Sequence, residues 1–247
     1  RAHFPIAGLE FERRIDLGDS VVRVRETLKN VTNSDRAIGW TQHVTLGPPF
    51  LERGATEFRS SAPRSKVFES TFGADDYLMP AAEFDWPMAP RLNGGTADLR
   101  LFTDAERSSA YTAHLMDGNR TAYLAAFSPA FRLVVGYIWR PADFPWMGSW
   151  EESRSRQLPP WNGQTLTRGM EFGVSPMPET RQAMIERAHL FGAPCFRTIA
   201  AGGAVARDPE LGRTDHPHRS LANLLPLLRR KFGTGSLFDQ FLMAALY

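Results

Sequence analysis

Short strand-like segments, cut by Gly and Pro turns, fill roughly the first four-fifths of this 247-residue chain, where helical periodicity is almost absent. This pattern constrains the fold most, because closely spaced period-2 segments bury a core by stacking sheet on sheet. Phe11 to Leu17, the turn residues Gly18, Asp19 and Ser20, and Val21 to Leu28 read as a hairpin. Val22 and Val24 alternate with Arg23 and Arg25, as expected of a half-solvated sheet. Asn30, Asn33, Ser34 and Asp35 supply turn chemistry. A strand from about Ile38 to Leu46 then stops at Gly47, Pro48 and Pro49.

A second hairpin is expected to pair Tyr111–Met116 with Thr121–Phe127 across Asp117-Gly118-Asn119-Arg120. Phe131 to Trp139 is apolar enough to predict burial on both faces, and Thr167 to Val174 is a further strand closed by Ser175-Pro176. No glycine-rich dinucleotide or phosphate loop occurs. The last thirty residues differ: Leu221, Leu224, Leu225 and Leu228, then Phe238, Phe241, Leu242 and Ala245, recur at helical spacing. The expected organisation is an all-β sandwich over residues 1–206, then a divergent linker and helical tail over 207–247.

Composition narrows function by exclusion. The net charge of +2 advertises neither a nucleic-acid surface nor an acidic tail. Arg229-Arg230-Lys231, the one basic cluster, reads as a solvated helix end. Cys195 stands alone in apolar company, so it is expected to be a buried, inert thiol. No apolar run is long enough to span a bilayer. His216 and His218 flank Pro217 at a spacing that suits a metal, but a third ligand is missing and no metal is expected.

Two stretches carry a family resemblance. One runs from Leu28 to Phe50 and includes the Asn-rich turn, Trp40-Thr41-Gln42-His43 and Gly47-Pro48-Pro49-Phe50. The other comprises Trp150-Glu151-Glu152, Pro159-Pro160-Trp161 and the run from Gly169 through Glu171 to Pro178. In order and separation they resemble the aldose 1-epimerase, or galactose mutarotase, family. The resemblance spans about Glu10 to Ala201 and implies a large, twisted, antiparallel β-sandwich with a sugar in an open cleft. It implies a small-molecule sugar partner and no cofactor; with charge and hydropathy as above, no nucleic acid or membrane partner is expected, and the expected setting is cytoplasmic. On this mapping His43 matches the general acid and Glu171 the general base. Nothing before Phe11 matches the family's N-terminal site residues, so those strands are expected to be missing from the sequence, which opens on Arg1.

Ring opening of a hemiacetal needs a base at the C1 hydroxyl and an acid at the ring oxygen, and a carboxylate with an imidazole suits both tasks. The expectation is that His43 and Glu171 face each other across one pyranose ring. If Met170 and Phe172 face the core, alternation puts Glu171 on the other face. Without the resemblance, His43 reads more readily as a structural histidine, and Glu171 could simply be solvent-exposed. Trp139, Trp146, Trp150 and Trp161 suit either core packing or a sugar platform. Trp150 and Trp139, with Glu151 and Asp98 as hydroxyl acceptors, are the candidate substrate contacts, and Asp104 is a weaker one. An isomerase is the leading functional expectation. A non-catalytic carbohydrate-binding or sensing domain is the alternative, and an accessory domain of a sugar lyase or glycoside hydrolase is the second. The hydrolase reading needs a facing carboxylate beside Glu171, which the sequence does not offer.

Overall fold

The computed structural model describes residues 1–17 and 22–207. The helical tail expected over 220–247, the His216/His218 pair and the Arg229–Lys231 cluster lie outside the described residues.

The central element is a seven-stranded antiparallel sheet. Its middle is formed by Ser108–Leu115, Trp146–Ser153 and Leu166–Gly173, paired in that order. One face of this sheet packs on the Glu57–Ser60, Ala122–Ser128 and Leu133–Trp139 sheet and on the Leu9–Leu17/Val22–Asn30 hairpin. Met147, Met170 and Phe172 meet Leu28, Phe58, Leu124, Ala126 and Trp139 there, in one apolar core. Burial of such side chains stabilises by about 1.5–3 kcal/mol each, which is what holds the layers together. The fold is therefore the expected antiparallel β-sandwich.

Three local expectations need correction. Tyr111–Met116 and Thr121–Phe127 do not form a hairpin: Ser108–Leu115 pairs with Trp146–Ser153 and Arg64–Val67, while Ala122–Ser128 pairs with Leu133–Trp139 and Glu57–Ser60. The link between them crosses from one layer to the other, because each strand already has partners along both edges. The strand expected to begin at Phe131 begins at Leu133, and it alternates half-buried with buried positions instead of being buried throughout. The Ile38–Leu46 strand is broken into Arg36–Ile38, Thr41–Gln42 and Thr45–Leu46.

A short helix, Arg181–Arg187, lies outside the expected pattern; Thr180 caps it by accepting from the Ala183 amide. Cys195 is fully buried, and burial pushes its thiol up to about 11. Among the described residues no helix is long and apolar enough to cross a membrane.

Candidate functional site

The site begins with a turn. Asn30 is fully buried, and its side-chain amide donates to the carbonyls of Ser34, Ile199 and Ala200. Its oxygen accepts from the Thr32 amide and hydroxyl, so the turn that sends the chain toward His43 is fixed on both sides. Farther along, Glu26 anchors the approach. Its buried carboxylate accepts from Arg13, from the Trp40 indole at 3.1 Å and from the Gln42 amide. The Arg13 guanidinium also donates to Gln42 at 3.0 Å, which closes a ring of polar contacts.

Register then selects the partner of His43. Gln42 pairs with Phe172 and Thr41 with Gly173, while Thr45 pairs with Gly169 and Leu46 with Arg168. Both pairings belong to one register, which sets His43 opposite Glu171. Same-face cross-strand neighbours are in contact range, and His43 Nε2 lies 2.9 Å from Glu171 Oε1. His43 Nδ1 lies 2.9 Å from the Thr45 hydroxyl, so both ring N–H groups of an imidazolium find acceptors.

Met170 and Phe172 do point into the core, and Glu171 points away from it. Its side chain is only 12% exposed, against 58% for His43. Burial holds the Glu171 carboxyl above the ordinary glutamate value, and the neighbouring His43 charge partly opposes that shift. The sequence-based expectation of a pyranose-wide gap is not met: the two groups touch. The shared register brings the two side chains within hydrogen-bond reach on one face of the sheet.

Aromatic residues wall the pair. Trp150, from the neighbouring strand, meets His43 edge-on with centroids 6.0 Å apart. Phe72 and Trp161 contact Trp150 from two loops. The Arg156 guanidinium sits 4.9–5.5 Å from the ring centroids of all three aromatics, an arrangement that favours a cation. Trp150 Nε1 is buried without a hydrogen-bond partner. Beneath them Tyr111 is buried, its phenol pushed up by burial and by the Glu171 charge; its hydroxyl donates to the Pro176 carbonyl at 3.2 Å.

The remaining candidates lie elsewhere. Trp139 is 1% exposed, stacks on Phe172 at 4.4 Å and donates its indole N–H to the Phe144 carbonyl, so it is a core residue and not a cleft platform. Glu151 points to the core side of its strand, where Arg168 pairs with it at 3.1 Å and Ser108 donates to it at 2.6 Å. Both corrections follow from strand alternation, since the neighbour of Trp150 must face the other way. Asp98 ends the Thr96–Asp98 strand of a separate two-stranded ribbon, and its carboxyl is held below the usual range by Arg100. Asp104 is exposed. Arg156, Phe72, Thr45 and Tyr111 were not singled out by sequence reasoning. Only the aromatic clustering near Trp150 and Trp161 hinted at them. Among the described residues no group of His, Cys, Asp and Glu side chains is arranged to hold a metal ion.

No family model matches the sequence. No curated protein matches it either. Solved structures do. A protein from Klebsiella pneumoniae described as a "putative aldose 1-epimerase" superposes with a TM-score of 0.56 at 13% identity, over 83% of this chain and 46% of that one. A galactose mutarotase-like protein from Clostridium acetobutylicum superposes with a TM-score of 0.50 at 12% identity, over 80% of this chain and 54% of that one. A TPR-domain containing protein from Parabacteroides distasonis does so with a TM-score of 0.51 at 12% identity, over 94% of this chain and 40% of that one. The chain thus spans about half the length of the solved structures it matches. At these identities the likeness speaks for architecture alone, and the architecture is the β-sandwich of galactose mutarotase-like proteins.

Proposed function

We propose that the face carrying His43 and Glu171 binds a sugar and interconverts its α and β anomers by acid/base ring opening. The observation that carries this reading is the 2.9 Å contact between His43 Nε2 and Glu171 Oε1, set beside Trp150 on the side of the sheet away from the core. The C1 hydroxyl oxygen and the ring oxygen of an aldose are bonded to the same carbon. An acid and a base in contact with each other can therefore each reach one of them from one side, with no ring-wide gap between them.

With His43 protonated and Glu171 ionised, the two residues hold the protonation states that the reaction needs. The Glu171 carboxylate takes the proton of the C1 hydroxyl, and the His43 imidazolium gives its Nε2 proton to the ring oxygen. The bond from C1 to the ring oxygen breaks as the C1 carbonyl forms. Rotation about the C1–C2 bond and reclosure run the same transfers backwards: Glu171 gives its proton to the C1 oxygen and His43 recovers its own from the ring-oxygen hydroxyl. The raised Glu171 carboxyl strengthens it as a base toward a weakly acidic hydroxyl. The Trp150 ring, edge-on to His43, walls the place a sugar would take.

The closed pair also favours a second reading, a non-catalytic carbohydrate-binding domain, because the two groups satisfy each other as they stand. Polarimetry of freshly dissolved α-glucose and α-galactose separates the two. Accelerated decay of rotation supports the isomerase, whereas calorimetric sugar binding without acceleration supports the binding domain. The identity of the sugar and the physiological setting belong to the same experiment with a wider panel.

A further inference from the structure

Glu171 is framed by glycines. Gly148 stands directly across from it on the adjacent strand, and Gly169 and Gly173 precede and follow it on the same face of its own strand. Glycine inside a strand weakens it and needs a reason. At Gly169 the reason is not backbone conformation, since its φ lies outside the left-handed region. The reason is space: a methyl group there would stand 2.9 Å from Glu171 Oε1 and 3.3 Å from Trp150. The glutamate side chain folds back over the bare backbone of Gly169, and that brings its carboxylate to His43.

The other two glycines serve the fold instead. A methyl at Gly148 would stand 2.1 Å from the Tyr111 hydroxyl, and one at Gly173 would stand 2.7 Å from the Trp40 carbonyl oxygen. Tyr111 is buried and Trp40 presents backbone, so neither can give way cheaply. At Gly169 the nearest atom is the free end of a flexible side chain. A methyl there moves the carboxylate before it moves the sheet.

We propose that Gly169 is a positioning residue, the absence of whose side chain sets the Glu171 carboxylate in contact with His43. The proposal rests on the acid/base reading for its effect on catalysis, but not for its effect on geometry. Groups facing the carboxylate are His43, from the link between the Thr41–Gln42 and Thr45–Leu46 edge strands, and Tyr111 from beneath.

The test is Gly169→Ala, with two readouts. Carbon-13 NMR of the Glu171 carboxyl, assigned with Glu171→Gln, follows whether its resonance tracks the titration of His43. Polarimetry gives kcat and KM. The wild type should show the two residues titrating in step. In Gly169→Ala the coupling should be lost while circular dichroism and Tm stay near wild type, and kcat should fall about 10²-fold with KM little changed, as for a displacement of about 1 Å. If the variant keeps both the coupling and the turnover, the proposal is wrong. A wild type that does not accelerate mutarotation of the sugars tried would count against the acid/base reading. The NMR coupling would then decide the positioning role by itself: its loss in Gly169→Ala upholds the role, and its persistence overturns it. Gly169→Ser, which adds the same Cβ, should repeat the effect.

Discussion

Glu171 and His43 share one contact but not one environment: the carboxylate is nearly enclosed by the sheet, while the imidazole leaves more than half of its side chain to solvent. On the proposed reading a sugar arrives over the histidine, and the glutamate lies beneath it. This asymmetry couples stability to function. Burial holds the Glu171 carboxyl above 4.5 even with His43 beside it. The folded state then binds a proton that the unfolded state has already released, so stability falls as pH rises from the ordinary glutamate value through the folded one. Replacing Glu171 by Gln removes that cost at neutral pH. Tm of Glu171→Gln should exceed that of the wild type at pH 7, and the difference should shrink toward pH 4. Calorimetric scans across that range check it; an advantage that grew on acidification would contradict the assignment.

His114 sets an opposite slope. It is fully buried between the Ser65 and Thr112 hydroxyls, with the Phe84 and Trp86 rings edge-on, and burial aided by the Arg168 charge lowers it to about 3. Between that value and the ordinary one for histidine the unfolded chain binds the extra proton, so stability is lost as pH falls through this window. The loss should reach several kcal/mol, at about 1.4 kcal/mol per pH unit. Urea titrations at pH 7 and pH 4.5 should give a markedly smaller acid loss in His114→Gln than in wild type.

Two tryptophans that sequence alone left equivalent should separate cleanly. Trp139→Ala opens the core against Phe172 and should cost about 3–5 kcal/mol, without changing the sugar affinity of the folded protein. Trp150→Phe keeps a ring against Phe72 and Trp161 but removes an indole N–H that the protein itself leaves unpaired. It should leave Tm near wild type and weaken sugar binding by no more than about tenfold, through the smaller ring face left beside His43. Denaturant titration and calorimetric binding on the two variants measure both effects.

What the sequence made legible follows from how local each feature is. The outward direction of Glu171 was readable because Met170 and Phe172 flank it, and strand alternation is a two-residue rule. The same rule, applied to Trp150 and Glu151, shows that they cannot line one cleft; weighing them together as site residues overlooked it. Strand pairing is less local. The segments around Tyr111 and Tyr123 sit at hairpin spacing, yet the first finds both its partners dozens of residues away and the second pairs with the strand that follows it and with the distant Glu57–Ser60, and nothing within the four-residue link says so. The cage around Arg156 draws on Phe72, Trp150 and Trp161 from three separate segments, so no periodicity could announce it. His43 and Glu171 were both reachable through the family resemblance, but their direct contact follows only from the register of two short edge strands.

The central claim is that His43 and Glu171 act as acid and base on one sugar. The most direct measurement is polarimetric mutarotation of α-glucose and α-galactose by the wild type beside Glu171→Gln and His43→Asn, with sugar affinity followed by calorimetry. Both variants should fall in turnover by about 10²–10⁴-fold, the usual worth of one acid or base, while affinity changes little. A Glu171→Gln protein that catalyses mutarotation at the full wild-type rate would contradict the account.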